Sequence, residues 1–372
     1  MVKETVKGHA KQIRGVSYKP NDLHGALDDK SVILLRANNI DDGKINFEDV
    51  VYVDKSKVSN EQYLRRGDVL ICASSGSKQL VGKAASVDFD TPCTFGAFCK
   101  VVRPNTGWAD YLGIYFQSNV YRREISALAI GANINNIRNE HVDCLTLNIW
   151  SEDKQKRIVN QMSKLKVIID KRKDELAKMD ELIKARFVEL FGDPIQNPYD
   201  WEKKRFDEIC ENLDSRRKPI TSSDRVEGIY PYYGASGIVD YVEDYIFDED
   251  ILLVSEDGAN LLMRSTPIAF SVSGKVWVNN HAHVVRFDKM CLQKYIEIFF
   301  SLIDISDSIT GSAQPKLNQA KLNAMEFPIP NESLLEDYLR FLKQVDKSKS
   351  VIQQSLEKTH LLFDSLMQEY FG

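Results

Sequence analysis

Glu189-Leu190-Phe191-Gly192 closes one long amphipathic stretch of this sequence, and Glu369-Tyr370-Phe371-Gly372 closes another. Subtracting 192 from 372 gives an offset of 180, and the same offset relates Ile329 to Ile149 and Glu332 to Glu152. Entry into and exit from the two stretches therefore keep one register. Such a repeat decides the architecture before any single element does. The chain reads as two halves, each a globular block followed by a long helix.

Working back from Leu190, the residues Ile183, Leu176, Ile169 and Met162 recur every seven positions, and Ile158, Leu165 and Met179 supply a second row. Arg172 and Arg186 interrupt that second row. In the other stretch Leu342, Leu356, Phe363 and Tyr370 form one row, and Tyr338, Val345, Ile352 and Leu366 the other, with Lys349 and Thr359 as the breaks. A period of seven marks a coiled-coil seam, whereas a helix lying on a globular surface repeats every ~3.6 residues. Each helix spans about 40 residues, or about 60 Å. Residues 152–190 carry 11 basic and 8 acidic side chains, against 5 and 7 over residues 332–371, which favours pairing of the two. The expected arrangement is an antiparallel coiled coil.

The 372 residues suffice for two domains of ordinary size. The expected division is 1–150, first long helix 151–192, second block 193–331, second long helix 332–372. No apolar run approaches a membrane span, and Met1-Val2-Lys3-Glu4 is too polar for a signal peptide. The six cysteines are scattered without a C-x-x-C pair, as in a reducing cytoplasm, where the chain is expected to reside. Net charge is −5, shared unevenly: 19 basic and 17 acidic side chains in residues 1–150, but 14 and 22 in residues 193–331. Any face of the second block that binds a polyanion would therefore have to be a local concentration of positive charge.

The first block predicts strands at 32–36, 67–72 and 95–102, then a helix over 111–128. The second predicts strands at 250–254 and 282–287 and a helix over 295–303. Gly131 and Gly311 open loops at the same offset as the helix ends. This order implies an α+β fold, each block built on a mixed sheet.

No catalytic constellation emerges. There is no P-loop, no G-x-S-x-G elbow and no methyl-transfer signature, and His281-x-His283 lacks a third metal ligand at a known spacing. What remains is side chains suited to base edges and phosphates, placed on loops. Arg36, Asn38 and Asn39 follow a strand, and Arg and Asn make bidentate contacts to guanine and adenine. Lys78, Gln79 and Lys83 lie on a small-residue loop, and Asn133, Asn135, Asn136 and Arg138 on a later one. The second block offers Arg216, Arg217 and Lys218 early on, then Tyr232, Tyr233 and Ser236. Asn260 and Arg264 follow, then Asn279, Asn280 and His281, and finally Gln314 and Lys316. Taken singly, each such residue is more often a solvated loop residue than a base reader.

The repeat of block and helix, the run Leu190-Phe191-Gly192-Asp193-Pro194 with Asn197-Pro198 and Trp201 behind it, and Gly311-Ser312-Ala313-Gln314-Pro315-Lys316-Leu317 together resemble the specificity subunit of type I restriction-modification enzymes. The resemblance spans essentially the whole chain. It implies two target-recognition domains, each reading half of a split, asymmetric double-stranded DNA target. The paired helices become a spacer and the docking surface for two methyltransferase subunits, which two restriction subunits can join. It implies no catalysis and no cofactor in this subunit, with S-adenosylmethionine on the methyltransferase and ATP and Mg on a restriction subunit. Two departures stand out. Trp201-Glu202-Lys203-Lys204-Arg205-Phe206-Asp207-Glu208-Ile209 opens the second block but has no evident counterpart in the first, so about 20 residues are expected to be missing or replaced there. Gln314 also falls opposite Ile134. The reading from a different class is a duplicated protein-binding scaffold with a coiled-coil stalk and no DNA role, which accounts better for the acidic second block.

Overall fold

The computed structural model describes residues 2–77, 79–129, 135–311 and 314–372, with the main chain alone at Asn135. Two compact units result: Met1–Lys173 together with Gln354–Gly372, and Asp174–Gln353. The helices Glu152–Phe191 and Glu332–Phe371 each contribute to both.

In the first unit an antiparallel sheet runs in the order Ala84–Ser86, Val69–Cys72, Cys99–Pro104, Ala10–Arg14. Val69–Cys72 is central and buried along its whole length, as a continuous apolar run covered on both faces should be. A second sheet, mixed in sense, is ordered Cys93–Phe95, Ser31–Leu35, Val51–Asp54, Leu23–His24, with its first pair parallel. The expected strand over 95–102 is thus two strands in two sheets. Gly96-Ala97-Phe98 makes the turn between them, and a Cβ on Gly15 would lie 2.1 Å from the Gly96 carbonyl oxygen, so the chains can meet there only at a glycine. The expected helix over 111–128 is likewise two, Ala109–Tyr115 and Asn119–Leu128, because the Ser118 hydroxyl accepts from Tyr121 N–H (3.1 Å) and starts a new helix.

The second unit repeats the plan. Its antiparallel sheet is ordered Ala269–Val272, Ile251–Ser255, Ala282–Arg286, Glu211–Asn212, strand for strand as in the first. Its mixed sheet again contains one parallel pair, Glu227–Gly234 with Lys275–Val278. A small sheet closes each block: Val2–Thr5 with Thr146–Ile149, and Lys203–Arg205 with Glu326–Pro328. Val6 N–H donates to Leu145 O (3.0 Å) and Phe206 N–H to Met325 O (2.9 Å), and these acceptors are again related by the repeat offset. The opening of the second block therefore has a counterpart at residues 2–6, contrary to the expectation of a missing leader. The offset falls from 200 (206 minus 6) to 180 (325 minus 145), so the first block is the longer of the two between these points.

The helices run antiparallel within each unit. In the first, Tyr370 Oη donates to Gln161 Oε1 (3.1 Å) and Trp150 Nε1 to Tyr370 O (3.2 Å), while Met162, Ile169 and Leu356 are buried and Leu165 and Phe363 partly so. In the second, Tyr338 Oη donates to Ile183 O (3.0 Å); Ile183, Leu342 and Val345 are buried and Leu190 partly buried. Leu176 and Ile352 are intermediate in exposure. The breaks in the seam find each other. Arg172 donates to Ser355 O (2.7 Å) and to the Thr359 hydroxyl, and Lys349 pairs with Asp180 at 2.5 Å. Each helix end docks on a tyrosine: Phe371 lies 5.1 Å from the Tyr111 ring, Phe191 4.9 Å from Tyr295. Those hydroxyls donate to Asn148 O (2.6 Å) and Pro328 O (2.7 Å), a pair of acceptors that keeps the repeat offset once more. Gly192 terminates the first helix at φ +80°, where a side chain would also collide with Pro198.

Candidate nucleic-acid interface

Three segments of the first unit end on one surface. The central strand Val69–Cys72 runs out into residues 73–76, the turn 96–98 lies beside it, and Asn135–Asn136 pairs antiparallel with Ser74–Ser75. Phe98 O accepts from both Ala73 N–H (2.9 Å) and Ser74 N–H (3.0 Å), and Ile137 N–H donates to Ala73 O (2.8 Å). This fixed main chain presents polar tips and one aromatic ring, since Phe98 is 71% exposed. A cleft of about 700 Å³ lies on one side, lined in part by Ser17, Tyr18, Arg36, Asn38, Ser75 and Phe98. A second of about 460 Å³, lined by Arg14, Lys100, Asn136, Arg138 and Glu140 among others, lies on the other.

Lys100 is the unusual group. It is 5% exposed, and its ammonium donates to Asn139 Oδ1 (2.7 Å) and Ile137 O (3.3 Å). Burial pulls its pKa down from 10.5 to about 8, with Asp143 opposing the shift and Arg14 adding to it. The unfolded chain then binds more protons between pH 8 and 10.5, so folding should strengthen as pH rises through that window, by up to about 1.4 kcal/mol per pH unit. Urea melts of wild type and Lys100→Met across that range should diverge accordingly; parallel pH profiles would contradict it.

The second unit builds the same surface from Ile251–Ser255 and the residues after it, the turn 279–281, and residues 314–317. Glu256 N–H donates to His281 O (2.9 Å) and Leu317 N–H to Glu256 O (2.8 Å), reproducing the bonds around Phe98 and Ile137. His283 takes the place of Lys100. Its Nδ1 lies 2.6 Å from Asp214 Oδ2 and its Nε2 2.8 Å from Leu317 O. Both ring nitrogens therefore lie against oxygen partners, a carboxylate and a main-chain carbonyl. Burial alone would raise the Asp214 carboxyl, but His283, the Val284 N–H and Arg217 together hold it below its usual value. Glu256, against the same effect of burial, is held low by Arg217 (2.6 Å) and Lys316 (3.0 Å). Asp214, Glu256 and His283 have the composition of a metal site, but the Glu256 oxygens are paired with Arg217 and Lys316, and Asp214 Oδ2 with His283 Nδ1.

Several expected base readers are structural. Asn39 is fully buried, accepting from Arg36 N–H (2.8 Å) and donating to Glu48 O (2.7 Å), because it closes a turn. Arg217 is drawn inward by Glu256 and the Ala282 carbonyl (2.7 Å). Strand alternation turns Tyr232 into the core at 1% exposure, its hydroxyl accepting from Ile220 N–H (3.0 Å). Tyr233 is half-buried against Phe270 (6.0 Å). Arg264 binds Phe300 O and Ile303 O (2.9 Å each), satisfying the end of the helix Met290–Leu302. Asn260 spends its amide on Ser265 and Thr266. Arg216 is held by Glu249 (2.6 Å), and Arg36 with Asn38 by Asp49 (2.9 and 3.1 Å).

Gln79, Asn136, Arg138, Ser236, Asn280, Gln314 and Lys316 are exposed, although Arg138 pairs with Glu140 and Lys316 with Glu256. Lys83 lies 3.7 Å from Asp41. Lys78 and Asn133 fall outside the described residues, as does the Asn135 side chain. Phe98 and Lys100 escape sequence reasoning because both sit in a run that reads as continuous core strand.

Residues 198–359 match the family model described as the type I restriction modification DNA specificity domain. Over 403 aligned residues the chain is 26% identical to the EcoKI specificity subunit of Escherichia coli K12, covering 96% of this chain and 86% of that one. The chain is thus similar to type I specificity subunits over nearly its whole length. It is also 38% identical over 173 residues to the StySPI specificity subunit of Salmonella potsdam, spanning 46% of this chain and 37% of that relative. The crystal structure of the type I S subunit from M. genitalium shares the fold, with a TM-score of 0.56 at 14% identity over 100% of this chain and 96% of that one. Among the described residues, no helix is long and apolar enough to cross a membrane.

Proposed function

We propose that this specificity-subunit homologue reads a split, asymmetric duplex DNA target, one half-site per recognition domain, and positions the enzymes that act on it. The observation that carries this reading is the recurrence of one polar surface at equivalent places in both units, in a homologue of DNA specificity subunits. Chemistry and cofactors belong to the partners: S-adenosylmethionine to two methyltransferase subunits, ATP and Mg to two restriction subunits where these join, all in the cytoplasm. Exposed apolar side chains off the helix seam supply docking surface for the methyltransferases, Val167, Ile168 and Leu361 in the first unit and Leu182, Val188 and Val351 in the second.

The acidity of residues 193–331 favours the other reading, a protein-binding scaffold. Duplex binding by the chain with its methyltransferase separates the two. A DNA reader loses affinity steeply between 50 and 200 mM salt, by about 10³-fold or more for six or more phosphate contacts. Weak binding with no such slope supports the scaffold.

A further inference from the structure

We infer that Lys100 and His283 are positioning residues for the two reading surfaces, each fixing through one main-chain carbonyl the segment its domain presents to DNA. This rests on the proposed DNA reading and adds to it the side chains that set half-site discrimination without touching a base.

The equivalence of the two residues is geometric. Lys100 stands opposite Ile71 on the central strand of the first unit, and His283 opposite Val254 on that of the second. The carbonyls they hold, of Ile137 and Leu317, occupy one place in the repeat, at the same offset as the helix ends. The N–H groups of these same residues donate to Ala73 O and Glu256 O, so each segment is held from both sides of one peptide-bonded residue. Ile137 and Leu317 are themselves buried, at 2% and 0% exposure, and their carbonyls need a partner inside the protein.

The chemistry differs while the geometry is kept. The first unit uses an ammonium faced by Asn139, with Asp143 and Arg14 nearby; the second uses an imidazole faced by Asp214 and Glu256, carboxylates that Arg217 and Lys316 pair in turn. Burying an ionisable group is a poor route to stability compared with apolar packing. Two different ionisable groups brought to one carbonyl position point instead to the placement of that carbonyl. Directly beyond each held residue lie the exposed tips, Asn136 and Arg138 in one unit, Lys316 and Gln314 in the other.

The test uses the chain assembled with its methyltransferase and duplexes carrying one mismatched base pair in either half-site. Each mismatch should cost wild type roughly tenfold or more in binding. Lys100→Met should lose most of that penalty at the half-site read by residues 1–150 and keep it at the other. His283→Leu should do the reverse, and His283→Lys, which transplants the solution of the first unit, should restore part of the loss. Asn139→Leu, at an exposed position that removes the other anchor of the Lys100 amine, should give a milder one-sided loss even where Lys100→Met proves insoluble. Hydrogen exchange at Ile137 should quicken in Lys100→Met, with Leu317 unchanged. Soluble variants that keep both penalties, or lose both equally, overturn the inference while leaving the DNA reading intact. A wild-type complex with no sequence preference overturns both.

Discussion

Asp68→Ala should destabilise the first unit by about 3–5 kcal/mol, since it leaves a buried guanidinium without its counter-charge. Arg103 donates through Nε and Nη2 to the two Asp68 oxygens at 2.8 and 2.7 Å, and the side chains are 8% and 1% exposed. The remaining donors of Arg103 reach Glu61 O (3.2 Å) and Tyr63 O (2.8 Å), and Asp68 also accepts from Arg65 N–H (2.9 Å), so every neighbour is placed for the charged pair. Replacing both residues by leucine should recover much of the loss, because the cost lies in the orphaned charge rather than in the missing bridge. Urea unfolding with hydrogen exchange resolved over residues 1–150 measures both variants; an Asp68→Ala midpoint equal to wild type would contradict the account.

Phe187→Ala should cost the second unit about 3–5 kcal/mol. The ring is completely buried, stacked on Tyr295 at 5.0 Å and 17° and meeting Phe191, Tyr338 and Phe299 edge-on at 4.9, 5.9 and 6.2 Å. It joins both long helices to the domain that residues 193–331 form, so the cavity opens where three elements converge. Thermal melting of the variant, with hydrogen exchange over residues 290–302, should show that helix loosening together with the helix ends. Loss confined to the long helices would show that this cluster does not tie the domain to them.

The long helices were legible because a seven-residue apolar period has few other causes, and seam positions such as Met162, Ile183 and Val345 are buried accordingly. The interruptions were not. Arg172 and Thr359 each read as a flaw in its own helix, and only the partner helix reveals that one answers the other. Strand positions were legible from their apolar runs, but the switch between sheets at residues 96–98 depends on the close approach of Gly15, which no local pattern records. For the candidate site, polarity of the loops was visible and direction was not. Tyr232 and Tyr233 are adjacent, identical in chemistry, and separated only by strand alternation into core and half-buried surface. Arg217 and Arg264 turned inward because carboxylates and free carbonyls awaited them, partners remote in sequence.

The most direct test of the account replaces residues 193–331 with the corresponding domain of a type I specificity subunit, keeping residues 1–192 and 332–372. The bases methylated in cells expressing the hybrid with its methyltransferase are then mapped at single-base resolution. The account predicts a split target in which one half-site changes and the other, with the spacing between them, stays as in wild type. A continuous methylated sequence, or a hybrid that alters both halves together, would contradict it.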